Sequence, residues 1–224
     1  MTALELPDVP RWVEAHGIAG DRDGWRRPLG AGFVVGHDAM KLAVICGDAD
    51  GDTARALASE LAAHTLLFAV ERDDLAAAVR AAGRTLARAI LHALSDAARL
   101  PDDDSAAPLA AGAPLDGVPL PLADELAWAR ARGPIWSAYV DGEPASFAFA
   151  PWRSAGWFDI SVETLPGARQ LGLATIVAAA MIRDERARGR EPVWGADEDN
   201  VASIRLARRL GFAPVDEIWV APGA

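Results

Sequence analysis

Three residues of the stretch "ARQLGLAT" could act together on a ligand: Arg169, Gly172 and Ala174. They follow "GWFDISVETLPG", which reads as a strand leaving through a Pro-Gly turn, and they precede a long alanine-rich run with helical spacing. A strand that turns directly into a helix presents unpaired backbone N–H groups at the helix N-terminus, with about half a positive charge from the helix dipole. Such a place binds anions. Gly172 removes a side chain where a ligand must come close, Ala174 keeps the next turn shallow, and Arg169 can add a bidentate contact to phosphate. A pyrophosphate suits this arrangement. Taken alone, R-x-x-G-x-A is more often an ordinary helix start in which Gly172 relieves crowding, so its context decides.

Competing chemistries have less behind them. "LGAGFVVG" carries Gly30, Gly32 and Gly36 but has no clear strand before it and no helix after it, so it reads as a loop and fails the setting of a dinucleotide fingerprint. A Walker A loop is excluded because Lys41, the sole lysine, follows Met40. His16, His37, His64 and His92 stand singly at wide spacing and read as surface or cap residues, so no metal is implied. Cys46, in the apolar run "KLAVICGD", reads as a buried structural thiol, and a lone cysteine excludes an internal disulfide.

The elements that would position the anion site form an ordered series. Before residue 100, "GFVVGHDAMKLAVIC" reads as two strands about a turn at residues 36–38, "DTARALASELAAH" as a helix and "TLLFAVE" as a strand. "DDLAAAVRAAG" reads as a helix capped by Asp73 or Asp74 and stopped at Gly83, whereas "RTLARAILHALSDAARL" suits strand or helix. "PDDDSAAPLAAGAPLDGVPLP", with five prolines and no period, reads as a linker over about 101–121. Beyond it come a helix closed by Gly133, a hairpin turning at Asp141 and Gly142, and the strand "GWFDISVETL". The helix "LATIVAAAMIRDERARG" follows, with Leu173, Ile176, Val177, Ala180 and Met181 on one face and residues 183–188 as its solvated end. A short strand "PVWGAD", a helix "NVASIRLARRLGF" capped by Asn200 or Asp199 and stopped at Gly211, and a strand "APVDEIWVA" complete the chain. No repeat of 20–50 residues is apparent in the sequence. The division is therefore expected as an N-terminal α/β lobe over 1–117, ending in the linker, and a second domain over 118–224.

Composition bounds the function. At 224 residues and 51% hydrophobic, with 24% charged side chains, the chain can bury one large core or two small ones. A net charge of −10 and a pI near 4.8 argue against nucleic acid and anionic membranes as partners. Residues 151–224 carry 9 Arg against 10 acidic residues, whereas residues 1–150 carry 13 basic against 22 acidic, so the near-neutral C-terminal part is the better host for an anionic ligand. With no secretory leader pattern at the N-terminus and no apolar run of membrane-spanning length, the expected location is cytoplasmic.

"RQLGLAT" after the third strand of a meander, followed by "NVASIRLARRLGF" in this order and spacing, resembles the GNAT superfamily of acyl-CoA-dependent N-acyltransferases over about residues 118–224. "ETLPGARQLGLAT…VWGADEDNVAS" looks most like a bacterial branch with an extra N-terminal α/β lobe. The resemblance implies an α+β (α/β) GNAT fold: a mixed central sheet flanked by helices and splayed between its fourth and fifth strands, here residues 156–164 and 192–196, where the acyl-CoA lies. It implies acetyl-CoA as acyl donor, an amine acceptor and no metal. Carried over by position, the N–H groups of Gln170, Leu171, Gly172, Leu173 and Ala174, with Thr175 and Arg169 beside them, would hold the pyrophosphate. The strand carrying Val162 and Thr164 would pair with the pantetheine arm, and Asn200 would order the cofactor arm or simply cap its helix. Glu163, and second Asp159, share strand parity and are the candidates for the base that deprotonates the amine. The family's usual acid, a tyrosine four residues before the glycine of the last helix motif, is replaced by Ala207, which leaves water or Ser203 to assist the departing thiolate. Tyr139 reads as structural, as do most of the tryptophans, including Trp136, Trp152, Trp157 and Trp194. The alternative is a non-catalytic acyl-CoA-binding regulatory module. Oligomeric state and acceptor identity are not readable in the residues.

Overall fold

The structure is a computed structural model and describes residues 5–224. In chain order its elements are α1 (Val13–Gly20), β1 (Gly24–Leu29), β2 (Gly32–His37), β3 (Leu42–Cys46), α2 (Gly51–Glu60), β4 (Thr65–Ala69), α3 (Asp73–Ala81) and β5 (Ala87–Leu94). There follow β6 (Ala107–Pro108), α4 (Leu120–Arg130), β7 (Trp136–Val140), β8 (Glu143–Phe149), β9 (Trp157–Asp159) and β10 (Ser161–Thr164). The chain closes with α5 (Leu173–Ala187), β11 (Glu191–Asp197), α6 (Val201–Leu210) and β12 (Phe212–Ala221). No helix among the described residues is long and apolar enough to cross a membrane.

Two compact units emerge. The first comprises Met1–Leu91, Gly195–Val201 and Pro214–Ala224, and the second His92–Trp194 and Ala202–Ala213. This differs from a division at residue 117. Segment 101–121 lies wholly inside the second unit, and the C-terminal strand returns to the first.

In the first unit β1, β2 and β3 form an antiparallel meander, Phe33 facing Cys46 across β2 and β3. After α2 the chain re-enters as β4, parallel to β3 with Leu42 beside Thr65, and residues 218–221 of β12 run antiparallel to β4. Val34, Ile45, Leu66 and Phe68 of the strands pack with Leu75 and Val79 of α3 as the core. The glycines of "LGAGFVVG" answer to this packing, and the run is not a loop: it is the β1–β2 turn and the start of β2. A Cβ on Gly32 would stand 2.3 Å from Cys46 O, and one on Gly36 would stand 2.1 Å from the Trp25 ring. Cys46 is buried, and burial pushes its thiol up to about 12. Among the described residues Arg84 meets no carboxylate; it donates to the carbonyls of Leu61, Ala221 and Pro222, the first near the C-terminal end of α2, where a cation is favoured.

In the second unit β10, β8, β7 and β6 make a four-stranded antiparallel sheet in that order, with β10 at its edge. The hairpin β7–β8 turns through Asp141 and Gly142 at φ 53 and 86, as an Asp-Gly pair permits. The segment read as one strand, 156–164, is broken at Ile160. Residues 157–159 pair in parallel with 191–193 of β11, Ile160 N donates to Val193 O at 3.1 Å, and from Ser161 the chain pairs with β8 instead. Phe147 and Phe149 of β8 pack against Leu126 and Ala129 of α4 and against Leu109.

The Pro-rich segment is no free linker. Arg183 of α5 donates to Asp103 O at 3.1 Å, Leu109 N donates to Ile135 O at 2.7 Å, and Ala106 and Leu109 are buried. Nor is the end of α5 solvated throughout: Glu185 is 1% exposed, taking Arg153 Nε and Nη2 on one oxygen at 3.0 and 2.9 Å and Arg190 Nε on the other at 2.8 Å. His37 and His92, read as surface or cap residues, are both buried. The helix expected to start on Asp73 or Asp74 has Arg72 at its N-cap, with no side-chain cap.

Candidate active site

The site begins at the edge of β10. Leu165 N donates to Ala145 O at 2.9 Å, and Ser161 faces Phe149 in the register, so Leu165, Glu163 and Ser161 are the residues whose backbones bond to β8. Val162 and Thr164 must then turn their N–H and C=O groups outward, along the free edge of the sheet. Arg169 follows that geometry: its Nε donates to Thr164 O at 3.4 Å. Thr164 Oγ1 lies 2.7 Å from Ser146 Oγ, and Ser146 Oγ also donates to Glu163 O at 3.3 Å, which ties the edge strand to β8.

From Thr164 the chain passes through one 3₁₀ turn at Pro166–Ala168 and enters the loop that precedes α5. Gln170 at φ 66 and Gly172 at φ 82 are both left-handed. Gly172 is the N-cap of α5, with no side-chain cap and no acidic residue in the first turn. A Cβ there would meet nothing within 4 Å, so the glycine is required by its backbone angle and leaves open space beside the helix end. Arg169, Gln170, Leu171 and Gly172 are exposed, and Leu173, Ala174 and Thr175 are the half-buried first turn of α5. A fifteen-residue helix with no side-chain cap, two left-handed residues before it and a neighbouring arginine leave this helix end without a competing carboxylate, a setting that favours an anion.

Beside this edge lies a cleft of about 330 Å³, lined by α4 residues Leu122 and Glu125 and by Glu163, Thr164, Leu165 and Arg169. Glu163 is exposed and Asp159 half-buried. Glu125, which sequence reading missed, links them. Its carboxyl is held above the ordinary carboxylate value by burial and then by Glu163. Asp159 is pushed up to about 7 by burial and then by Glu125, against a hydrogen bond from Ile160 N. The signal in "LADELAWARARG" was an acid on an apolar stripe: Glu125 falls at helical spacing with Leu122 and with the buried Leu126 and Ala129.

Ser203 lies elsewhere in this unit, on α6, where Trp194 Nε1 donates to its Oγ at 2.9 Å. Ala207 is fully buried. Asn200 sits in the turn before α6, in the segment grouped with the first unit, its N–H donating to Asp197 O at 2.9 Å. Among the described residues one group has metal-ligand proximity, Asp21, Asp23 and His37 of the first unit, with ligand atoms within 4.8 Å of one another. His37 Nδ1 accepts from Met40 N at 3.3 Å, and its Nε2 lies 3.5 Å from Asp21 Oδ1.

Residues 131–220 match the family model of the GNAT acetyltransferases. The fold is shared along almost the whole chain with solved structures. A putative GNAT-family acetyltransferase from Novosphingobium aromaticivorans is 20% identical, covering 97% of this chain and 98% of its own at a TM-score of 0.65. A GCN5-related N-acetyltransferase from Kribbella flavida is also 20% identical, covering 96% and 94% at a TM-score of 0.66. A GCN5-related N-acetyltransferase-like protein from Streptococcus suis is 14% identical, covering 97% and 94% at 0.62.

Proposed function

We propose that this protein, whose residues 131–220 match the family model of the GNAT acetyltransferases, is an acyl-CoA-dependent N-acyltransferase that takes acetyl-CoA as donor and a small primary amine as acceptor. The observation that carries the reading is the free edge of β10 running into an uncapped, left-handed loop at the N-terminus of α5. On this reading the N–H groups from Gln170 to Ala174 hold the pyrophosphate, with Arg169 adding a charged contact. Val162 and Thr164, with their backbone groups turned out, pair with the pantetheine arm as an added strand would. One of those N–H groups serves the thioester carbonyl; an oxyanion donor is worth about 2.7–4 kcal/mol.

The amine nitrogen attacks the thioester carbon, the C–S bond breaks, and the nitrogen gives a proton to a carboxylate. Glu163, exposed at the cleft and one residue from Thr164, is the base; Asp159, raised to about 7, is the second choice. Holding amine and thioester together supplies about 7–11 kcal/mol, more than the proton transfer. The thiolate leaves with help from water or from Ser203.

A second reading, an acyl-CoA-binding regulatory module, is favoured by Ala207 alone, which puts a buried methyl where the family's tyrosine acid stands. Thiol release from acetyl-CoA across a panel of primary amines separates the two. The catalytic reading expects turnover together with thermal stabilisation by acetyl-CoA. Stabilisation without turnover by any amine would leave the regulatory reading.

A further inference from the structure

Three clefts of similar size differ in how their acids are answered. In the first unit, a cleft of about 320 Å³ is lined by Asp216 and Glu217, which are paired with Arg11 and with Arg88. In the second unit, a cleft of about 280 Å³ is lined by Asp104, Asp184 and Arg183: Asp104 has no cation partner among the described residues, Asp184 pairs with Arg188 and takes Trp136 Nε1, and Arg183 is spent on the carbonyls of Pro101 and Asp103. The cleft between α4 and β10 differs in that two unanswered acids act on each other across it. Glu125 and Glu163 line it with no cation partner among the described residues, and Asp159, interacting with Glu125, has none either.

The rest of that lining is apolar: Pro121 and Leu122 on one side, Leu165 and Pro166 on the other. Its cation, Arg169, stands at the strand-to-helix turn and donates to Thr164 O, on the side assigned to the donor's phosphates. We propose that this cleft selects primary amines that have an apolar body and no carboxylate, with Glu125 and Glu163 together holding the ammonium. The inference rests on the acyl-transfer reading and names its acceptor class. An ammonium offsets the burial and the repulsion by Glu163 that raise Glu125, whereas an amino acid would bring a third or fourth negative charge to a place with no second cation among the described residues. At about 330 Å³ the cleft is at the small end of ligand sites, which fits a branched or single-ring amine.

The test sets isopentylamine against leucine, which differ by one carboxylate. Binding to the full chain in the presence of CoA is measured by titration calorimetry, and transfer from acetyl-CoA by thiol release. Isopentylamine should bind at least tenfold more tightly than leucine. Glu125→Gln should weaken isopentylamine at least tenfold, Glu125→Asp should restore part of the loss, and both variants should keep the thermal shift given by acetyl-CoA. Equal use of leucine, no binding of isopentylamine, or indifference to Glu125→Gln overturns the acceptor class, while thiol release in the same experiment leaves acyl transfer standing. Glu125-dependent amine binding without any thiol release supports the cleft and removes the transfer reading instead.

Discussion

The two halves of the chain present the same series of elements. In the first, α1 precedes the meander β1–β2–β3, which is followed by α2, a strand parallel to β3, α3 and β5. In the second, α4 precedes β7, β8 and the broken strand β9–β10, followed by α5, a strand parallel to β9, α6 and β12, which from Pro214 on belongs to the first compact unit. The strand-to-helix turns of the two series are chemically opposite. The turn into α2 reads Gly47-Asp48-Ala49-Asp50, and it is filled from within. Asp50 accepts Thr53 N at 2.9 Å, Asp52 lies in the first turn, and Arg72 covers Asp48 at 2.8 Å. The turn into α5 has no acid, no side-chain cap and two left-handed residues. A backbone order can thus be used twice while only one helix end is left with N–H groups and dipole to offer an anion.

That contrast is broken most directly by Gly172→Glu, which puts a carboxylate where α2 already has one. Thermal stabilisation by acetyl-CoA, about 2.7 kcal/mol at a hundred times its dissociation constant for the native chain, should vanish, and turnover with it. An undiminished shift would show that the donor sits elsewhere. Next in size is Glu163→Gln, for which turnover at pH 7 should fall by about 10²–10⁴, recovering partly at high pH where the amine deprotonates unaided. Acetyl-CoA affinity should hold, since the proposed pyrophosphate site is built of backbone. If Asp159→Asn is the damaging change and Glu163→Gln is silent, the order of the two carboxylates is reversed.

A smaller effect is expected in stability. The folded-state value of Asp159, about 7, exceeds the ordinary one of about 4, so the folded chain holds a proton that the unfolded chain has lost between those values. The carboxyl therefore lowers stability as pH rises from about 4 to 7. Asp159→Asn should stabilise by about 1–3 kcal/mol at pH 8 and by little at pH 4; a gap that does not change with pH would refute the shift. The smallest effect belongs to the first unit. Asp50→Ala, removing the cap of α2, should lower Tm by about 1–4 °C and leave kcat/KM for acetyl-CoA unaltered. Loss of acetyl-CoA turnover in Asp50→Ala would contradict the division of roles between the two helix ends.

The local signals were legible. The Asp-Gly hairpin, the glycine stop after α6 and the uncapped start of α5 follow from residue types a few positions apart. What was hidden depends on distant partners. Glu185 reads as the solvated end of a helix because Arg153, which buries it, is 32 residues away. The Pro-rich stretch reads as a linker because its anchors, Arg183 and Ile135, lie on other elements. The repeated series of elements left no mark because the turns that would have matched carry opposite charge. The break at Ile160 is invisible to a period-two pattern, since Asp159 and Glu163 keep their parity through it.

Arg153 and Arg190, closed on the buried Glu185, also bear on the aim of the proposed anion site. From Leu173 to Ala187, α5 is a lever of about 22 Å at 1.5 Å per residue, fastened near its far end. A swing of about 5° about that fastening would displace the first-turn N–H groups by about 2 Å, several times the tolerance of a hydrogen bond. On the proposed reading, a fulcrum of three charged side chains thirteen residues away thus contributes to pointing accuracy at the loop, and loosening it should blur the grip on phosphate.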